Sequence, residues 1–88
     1  MKLTDENKRK PVITLHSIME GSSSITQVFY DEDGDWQFFD SEIISETDYM
    51  VVGVNQIISV DNSLLFLPDM SLGEKVQRTS KSGGWEKF

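Results

Sequence analysis

From Pro11 onward the apolar residues fall into short clusters separated by polar or glycine-bearing breaks. Val12 to Ile18 (VITLHSI) alternates weakly, with Val12, Thr14, His16 and Ile18 set against Ile13, Leu15 and Ser17. Its β-branched residues predict a strand. Gly21 to Ser24 (GSSS) predicts a loop, Ile25 to Tyr30 (ITQVFY) a second strand, and Trp36 to Phe39 (WQFF) a third. Between these last two lies DEDGD, and an Asp-Gly pair flanked by strand-like segments is a strong hairpin signal. With Asp33-Gly34 as the two central residues, Phe29 lies opposite Phe38 and Asp31 opposite Trp36. That register puts Phe29, Trp36 and Phe38 on one face and Val28, Tyr30 and Phe39 on the other. A three-residue loop would shift it. Both faces are apolar, so the hairpin is expected at the centre of its sheet or covered on both sides.

Ser41 to Asp48 (SEIISETD) is acidic and predicts a loop or a single irregular turn. Tyr49 to Val54 (YMVVGV) predicts a fourth strand. Asn55 is a candidate cap for a helix over Gln56 to Val60, and Asp61-Asn62-Ser63 for a second over Leu64 to Leu67 that stops at Pro68. The same spacing also fits one kinked helix. Glu74 to Thr79 predicts a fifth strand, and Trp85 to Phe88 a short last one after the SKSGG turn. The fold class expected is α+β: a mostly antiparallel sheet of five to six strands, with one or two short helices packed on one face. Residues 1–10 are polar and aperiodic and predict a flexible polar tail, leaving residues 11–88 as a single α+β domain.

Charge changes this picture by making it lopsided. Residues 1–10 carry +2, residues 11–74 carry −12 with no Lys or Arg, and residues 75–88 carry +3, which together give the net −7. An acidic body disfavours nucleic acid, because phosphate contacts require a basic surface. It favours a basic protein partner, drawn in by long-range attraction. Negative charge also aids solubility without any partner. The chain has 88 residues and no cysteine, which excludes disulfides and thiolate metal sites and fits a reducing compartment. MKLTDENKRK is not followed by an apolar stretch long enough for a signal peptide or membrane span, so a cytoplasmic location is expected, with no membrane contact.

The candidate contact residues lie in the acidic hairpin: Asp31, Glu32, Asp33, Asp35 and Trp36. Read as a calcium loop, Asp31, Asp33, Asp35 and Glu42 occupy the first, third, fifth and twelfth positions of an EF-hand. Trp36 stands at the sixth, where the sharp turn requires glycine, and strand formers replace the flanking helices. No metal is therefore assigned, although a looser calcium site at the tip stays as the alternative, as does a small accessory subunit of an enzyme. His16 is the only histidine, no nucleophile elbow or phosphate loop is present, and no catalytic residue or cofactor is expected. Arg78, the only arginine outside the first ten residues, is expected to pair with a carboxylate, with clamping of an anionic ligand as the other reading. Trp36 and Trp85 are read as core residues or as partner contacts. Exposed sheet edges make either a monomer or a homodimer consistent with the pattern.

Two blocks carry a family resemblance. DGDWQFF (Asp33 to Phe39) resembles a D-G-x-W-Q-F signature, and VVGVNQIISVDNSLLFLPDMSLGEKVQR (Val51 to Arg78) resembles its downstream companion, with Trp85 following. The chain thus resembles a small bacterial domain of unknown function related to predicted immunity proteins of polymorphic toxin systems. The resemblance spans roughly residues 12–85 and implies an α+β fold and a non-enzymatic role in binding a protein, in such systems a toxin.

Overall fold

The computed structural model describes residues 1–40, 48–80 and 82–88. Among these, six strands form one mixed sheet: β1 (Pro11–Leu15), β2 (Gln27–Tyr30), β3 (Trp36–Phe39), β4 (Tyr49–Gly53), β5 (Lys75–Gln77) and β6 (Glu86–Lys87). They lie in the order β4-β1-β3-β2-β5-β6. β1 and β3 pair in parallel, and every other neighbouring pair is antiparallel. The expected α+β architecture is present, with β2 and β3 at the centre.

The helical elements beside the sheet include α1 (His16–Met19), α2 (Val54–Val60) and a 3-10 helix over Asn62–Phe66. One cluster joins the sheet to them: Val12, Val28, Tyr30, Trp36, Phe38, Val52 and Val76 with Val54, Ile57, Leu64, Leu67 and Met70. Trp36 is 0 % exposed, stacked on Tyr30 at 4.4 Å and on Phe38 at 6.4 Å between ring centroids. Burying a ring of this size contributes at most roughly 5 kcal/mol. The opposite sheet face carries Ile13, Gln27, Phe29, Gln37, Phe39, Tyr49 and Val51, all half-buried or exposed.

Several boundaries differ from the sequence expectation. The first strand stops at Leu15 rather than Ile18, because His16 to Met19 close a helical turn. Glu20 N–H donates to His16 C=O, and Gly21 follows at a positive φ of 85°. α2 begins at Val54, where Gln56 rather than Asn55 does the capping: its side-chain oxygen accepts from Gly53 N–H at 2.7 Å. Asp61 separates α2 from the 3-10 helix by turning the backbone to an extended conformation, and its side chain accepts from Ser63 N–H. The acidic stretch Ser41 to Asp48, read as a loop, falls outside the described residues as far as position 47.

The hairpin register is also shifted by one residue. Tyr30 pairs with Trp36, Phe29 with Gln37 and Val28 with Phe38. The loop is Glu32-Asp33-Gly34, closed by Gly34 N–H to Asp31 C=O at 3.0 Å, with Gly34 at φ 81°. This is the three-residue hairpin with a left-handed glycine. As a result Val28, Tyr30, Trp36 and Phe38 share the core face, and Phe29 and Phe39 share the open one.

Residues 1–10, expected to trail as a tail, pack onto the domain. Leu3 sits in a 3-10 turn (Leu3–Asp5) and is buried in the common core. Glu6 accepts the indole N–H of Trp36 at 2.9 Å, and Met70 N–H donates to Met1 C=O. Lys10 donates to Glu6 and, at 2.6 Å, to Gly34 C=O. A polar segment is ordered here because its few partners are buried or backbone groups.

Candidate functional site: an acidic hairpin tip and a buried arginine

The hairpin tip is fastened by its own hydrogen bonds. Asp31 Oδ1 accepts from the N–H groups of Asp33 and Asp35, at 3.0 and 2.9 Å, and Oδ2 accepts from Gln37 Nε2 at 3.2 Å. A short acidic side chain that bonds its own turn in this way favours the turn over an extended strand. A second loop braces the tip from outside: Gly73 N–H donates to Tyr30 C=O, and Tyr30 N–H to Glu74 C=O. Gly73, at φ 83°, lies against the Glu32 side chain.

The five sequence-predicted contact residues therefore separate into three groups. Glu32, Asp33 and Asp35 are exposed, and none has an ion-pair partner among the described residues. Asp31 is half-buried and committed to the turn. Trp36, expected at the contact surface, points into the core on the opposite sheet face from Asp31 and Asp35, so it cannot touch a partner docked at the tip. Its position in β3 also disposes of the EF-hand: the residues flanking the loop are strands, not helices. Asp31, Asp33 and Asp35 can still each place a carboxylate oxygen so that the three lie within 4.8 Å of one another.

Arg78, just beyond β5, has a different role from that of a ligand clamp. Its Nε donates to Ile25 C=O at 2.9 Å, Nη1 to Ser63 Oγ at 2.6 Å and Nη2 to Asp61 Oδ2 at 2.7 Å. The Trp85 ring covers the guanidinium at 4.1 Å. The side chain is 1 % exposed and its charge is paired with Asp61, although Arg78 also borders a depression of about 440 Å³ lined by Gln77, Thr79, Gly84 and Glu86. The expected pairing with a carboxylate is present, and the carboxylate is that of Asp61. His16 is exposed at the start of α1, and none of the hydrogen bonds among the described residues engages its side chain. Ser17 instead donates to Asp48.

Two features escaped the sequence reading. One is the open sheet face, where Phe39 stacks on Tyr49 at 5.3 Å and Phe29 meets Phe39 and Phe88 at 6.0 Å. The other is that β4 lies at the edge of the sheet. The alternation of Tyr49 and Val51 was a usable signal for the first; strand order, which fixes the second, has none in a single sequence. Comparison with family models, with curated proteins and with solved structures gives no match.

The Asp61 carboxyl is held below its ordinary value of 3.8. Burial alone would raise it, but hydrogen bonds from the Ser63 side chain and backbone and from Arg78 outweigh that. The native state thus takes up this proton less readily than the unfolded chain. The stabilisation is full above pH 3.8 and is lost as pH falls through the lowered native value. Asp61→Asn is expected to cost about 3–5 kcal/mol at neutral pH, since it removes the Asp61 carboxylate from a buried arginine. It should also flatten the acid limb of stability below that pH. Urea titrations of both proteins at neutral and acid pH measure the two effects.

Proposed function

We propose that the chain is a non-enzymatic, cytoplasmic binding domain whose exposed hairpin tip receives a basic protein partner, in the manner of an inhibitor that occludes a toxin. The observation that carries this reading is the tip itself: Glu32, Asp33 and Asp35 are exposed on a braced turn and have no ion-pair partner among the described residues. Supporting it, residues 11–74 contain no Lys or Arg. Those cations of the chain ends that form ion pairs among the described residues do so away from the tip: the Met1 amine with Asp69, Lys10 with Glu6, Lys87 with Glu74, and Arg78 with Asp61. Fixed like charges held away from counter-ions focus a potential that speeds association with an oppositely charged protein. The resemblance of the DGDWQFF block to predicted immunity proteins points the same way and suggests the protein encoded beside this gene as the partner to test.

Binding kinetics with that neighbouring gene product test the reading. Glu32→Gln, Asp33→Asn and Asp35→Asn together should slow association by about tenfold at low salt, with dissociation little changed and the difference closing as salt rises. Asp31 is left intact because its carboxylate holds the turn. Absence of a complex at low salt, or equal association rates, counts against the proposal.

The convergence of Asp31, Asp33 and Asp35 favours one second reading, a calcium site at the same tip. Calcium bound there at a hundred times its dissociation constant would stabilise the native state by about 2.7 kcal/mol. On this reading the melting temperature rises in millimolar calcium and falls back with chelator. An unchanged melting temperature removes a tight site.

A further inference from the structure

We propose that β4 is a pairing edge, and that its occupant is β4 of a second copy, running antiparallel about a two-fold axis through Val51. β4 borders the sheet, and no described strand pairs with its outer side. Val51 is 66 % exposed and Tyr49 46 %. The backbone is oriented for pairing. Val54 N–H donates to Lys10 C=O, directly across the register of β1 and β4. Antiparallel alternation then turns Val52 and Met50 toward β1 as well, and leaves the N–H and C=O groups of Tyr49 and Val51 facing outward. Gly53 fits this polarity, because its N–H is taken by the Gln56 side chain rather than by β1.

Strand edges are commonly protected by lysine, proline, inward charges or bulges. Tyr49 to Gly53 (YMVVG) contains no charged residue and no proline, and its register with β1 runs through all five positions without a bulge. A second copy suits this edge better than an arbitrary strand because the edge is complementary to itself under a two-fold axis. With Val51 opposite Val51, each copy brings Tyr49 opposite Gly53 of the other. Val51 then contributes two hydrogen bonds across the axis, and Tyr49 N–H to Gly53 C=O contributes two more.

Charge agrees with that register. The turn carrying Lys8 and Arg9 is fastened beside the C-terminal end of β4, through Asn55 N–H to Lys8 C=O and Val54 N–H to Lys10 C=O. Lys8 and Arg9 are exposed and make no ion pair among the described residues. Asp48 lies at the N-terminal end of β4, and among the described residues its carboxylate accepts only from Ser17. Antiparallel pairing sets the basic turn of each copy beside Asp48 of the other, whereas a parallel arrangement would set like beside like. Repulsion between the two acidic bodies is screened beyond about 8 Å at physiological ionic strength.

Sedimentation equilibrium up to millimolar concentration, combined with amide hydrogen exchange, tests the pairing. The chain should show a reversible monomer–dimer equilibrium, and the Val51 amide should exchange more slowly as the dimer fills. Val51→Lys places like charges face to face across the axis and should weaken the dimer at least about tenfold while leaving the circular dichroism spectrum unchanged. Lys8→Glu with Arg9→Glu should weaken it by a similar factor. A chain that stays monomeric throughout, a dimer indifferent to either variant, or a dimer whose Val51 amide exchanges as in the monomer overturns the proposal. The amide measurement on the unaltered protein decides the matter even if Val51→Lys fails to fold.

Discussion

The guanidinium of Arg78 joins separate stretches of chain, among the described residues the segment leading into β2, the cap of the 3-10 helix, the end of β5 and the C-terminal Trp85. Each contact is made by a different face or nitrogen of one planar cation, a task lysine could not perform with a single point charge. Asp61 shows why the arrangement is costly to disturb. It caps the 3-10 helix, ends α2, and neutralises the arginine. A buried pair of this kind contributes modest net stability when intact and a large loss when one member is removed. Its consequence is geometric: the helical layer is tied to the sheet at a fixed position, and the core from Val12 to Val76 closes between them.

That tie also shapes the surface. Because residues 11–74 contain no cation, each one that pairs with an acid of this stretch must come from a chain end. Arg78 goes to Asp61 inside, and Lys87 goes to Glu74 at the braced loop. Lys10 approaches the hairpin but donates to a backbone carbonyl and to Glu6, so it steadies the turn without neutralising the acids of its tip. The same side chains that hold the fold together thereby leave Glu32, Asp33 and Asp35 without an ion-pair partner among the described residues, which is the physical basis for the proposed affinity for a basic partner.

Much of this was legible in the sequence, and the exceptions have definite causes. β-branched and aromatic clusters located all six strands to within a few residues, and Asp33-Gly34 located the hairpin. The register was not legible because both faces of the hairpin are apolar, so no periodicity distinguishes a two-residue loop from a three-residue one. That single step moved Tyr30 and Val28 onto the same face as Trp36. Trp36 shared a short acidic stretch with Asp33 and Asp35, yet alternation sends it through the sheet to Glu6, thirty positions earlier in the chain. A contact of that kind has no local signal, and for the same reason the first ten residues read as a tail. The pairing of Arg78 with some carboxylate was foreseeable from charge alone; that the carboxylate is Asp61 depends on the tertiary fold.

A double-mutant cycle on Arg78→Met and Asp61→Asn, read by urea unfolding at neutral pH, tests most directly the claim that this pair ties the helical layer to the sheet. If it does, the double variant should be more stable than the sum of the single losses implies, with a coupling energy above about 1 kcal/mol. Additivity within about 0.5 kcal/mol would mean that the two residues act independently, and would contradict the account.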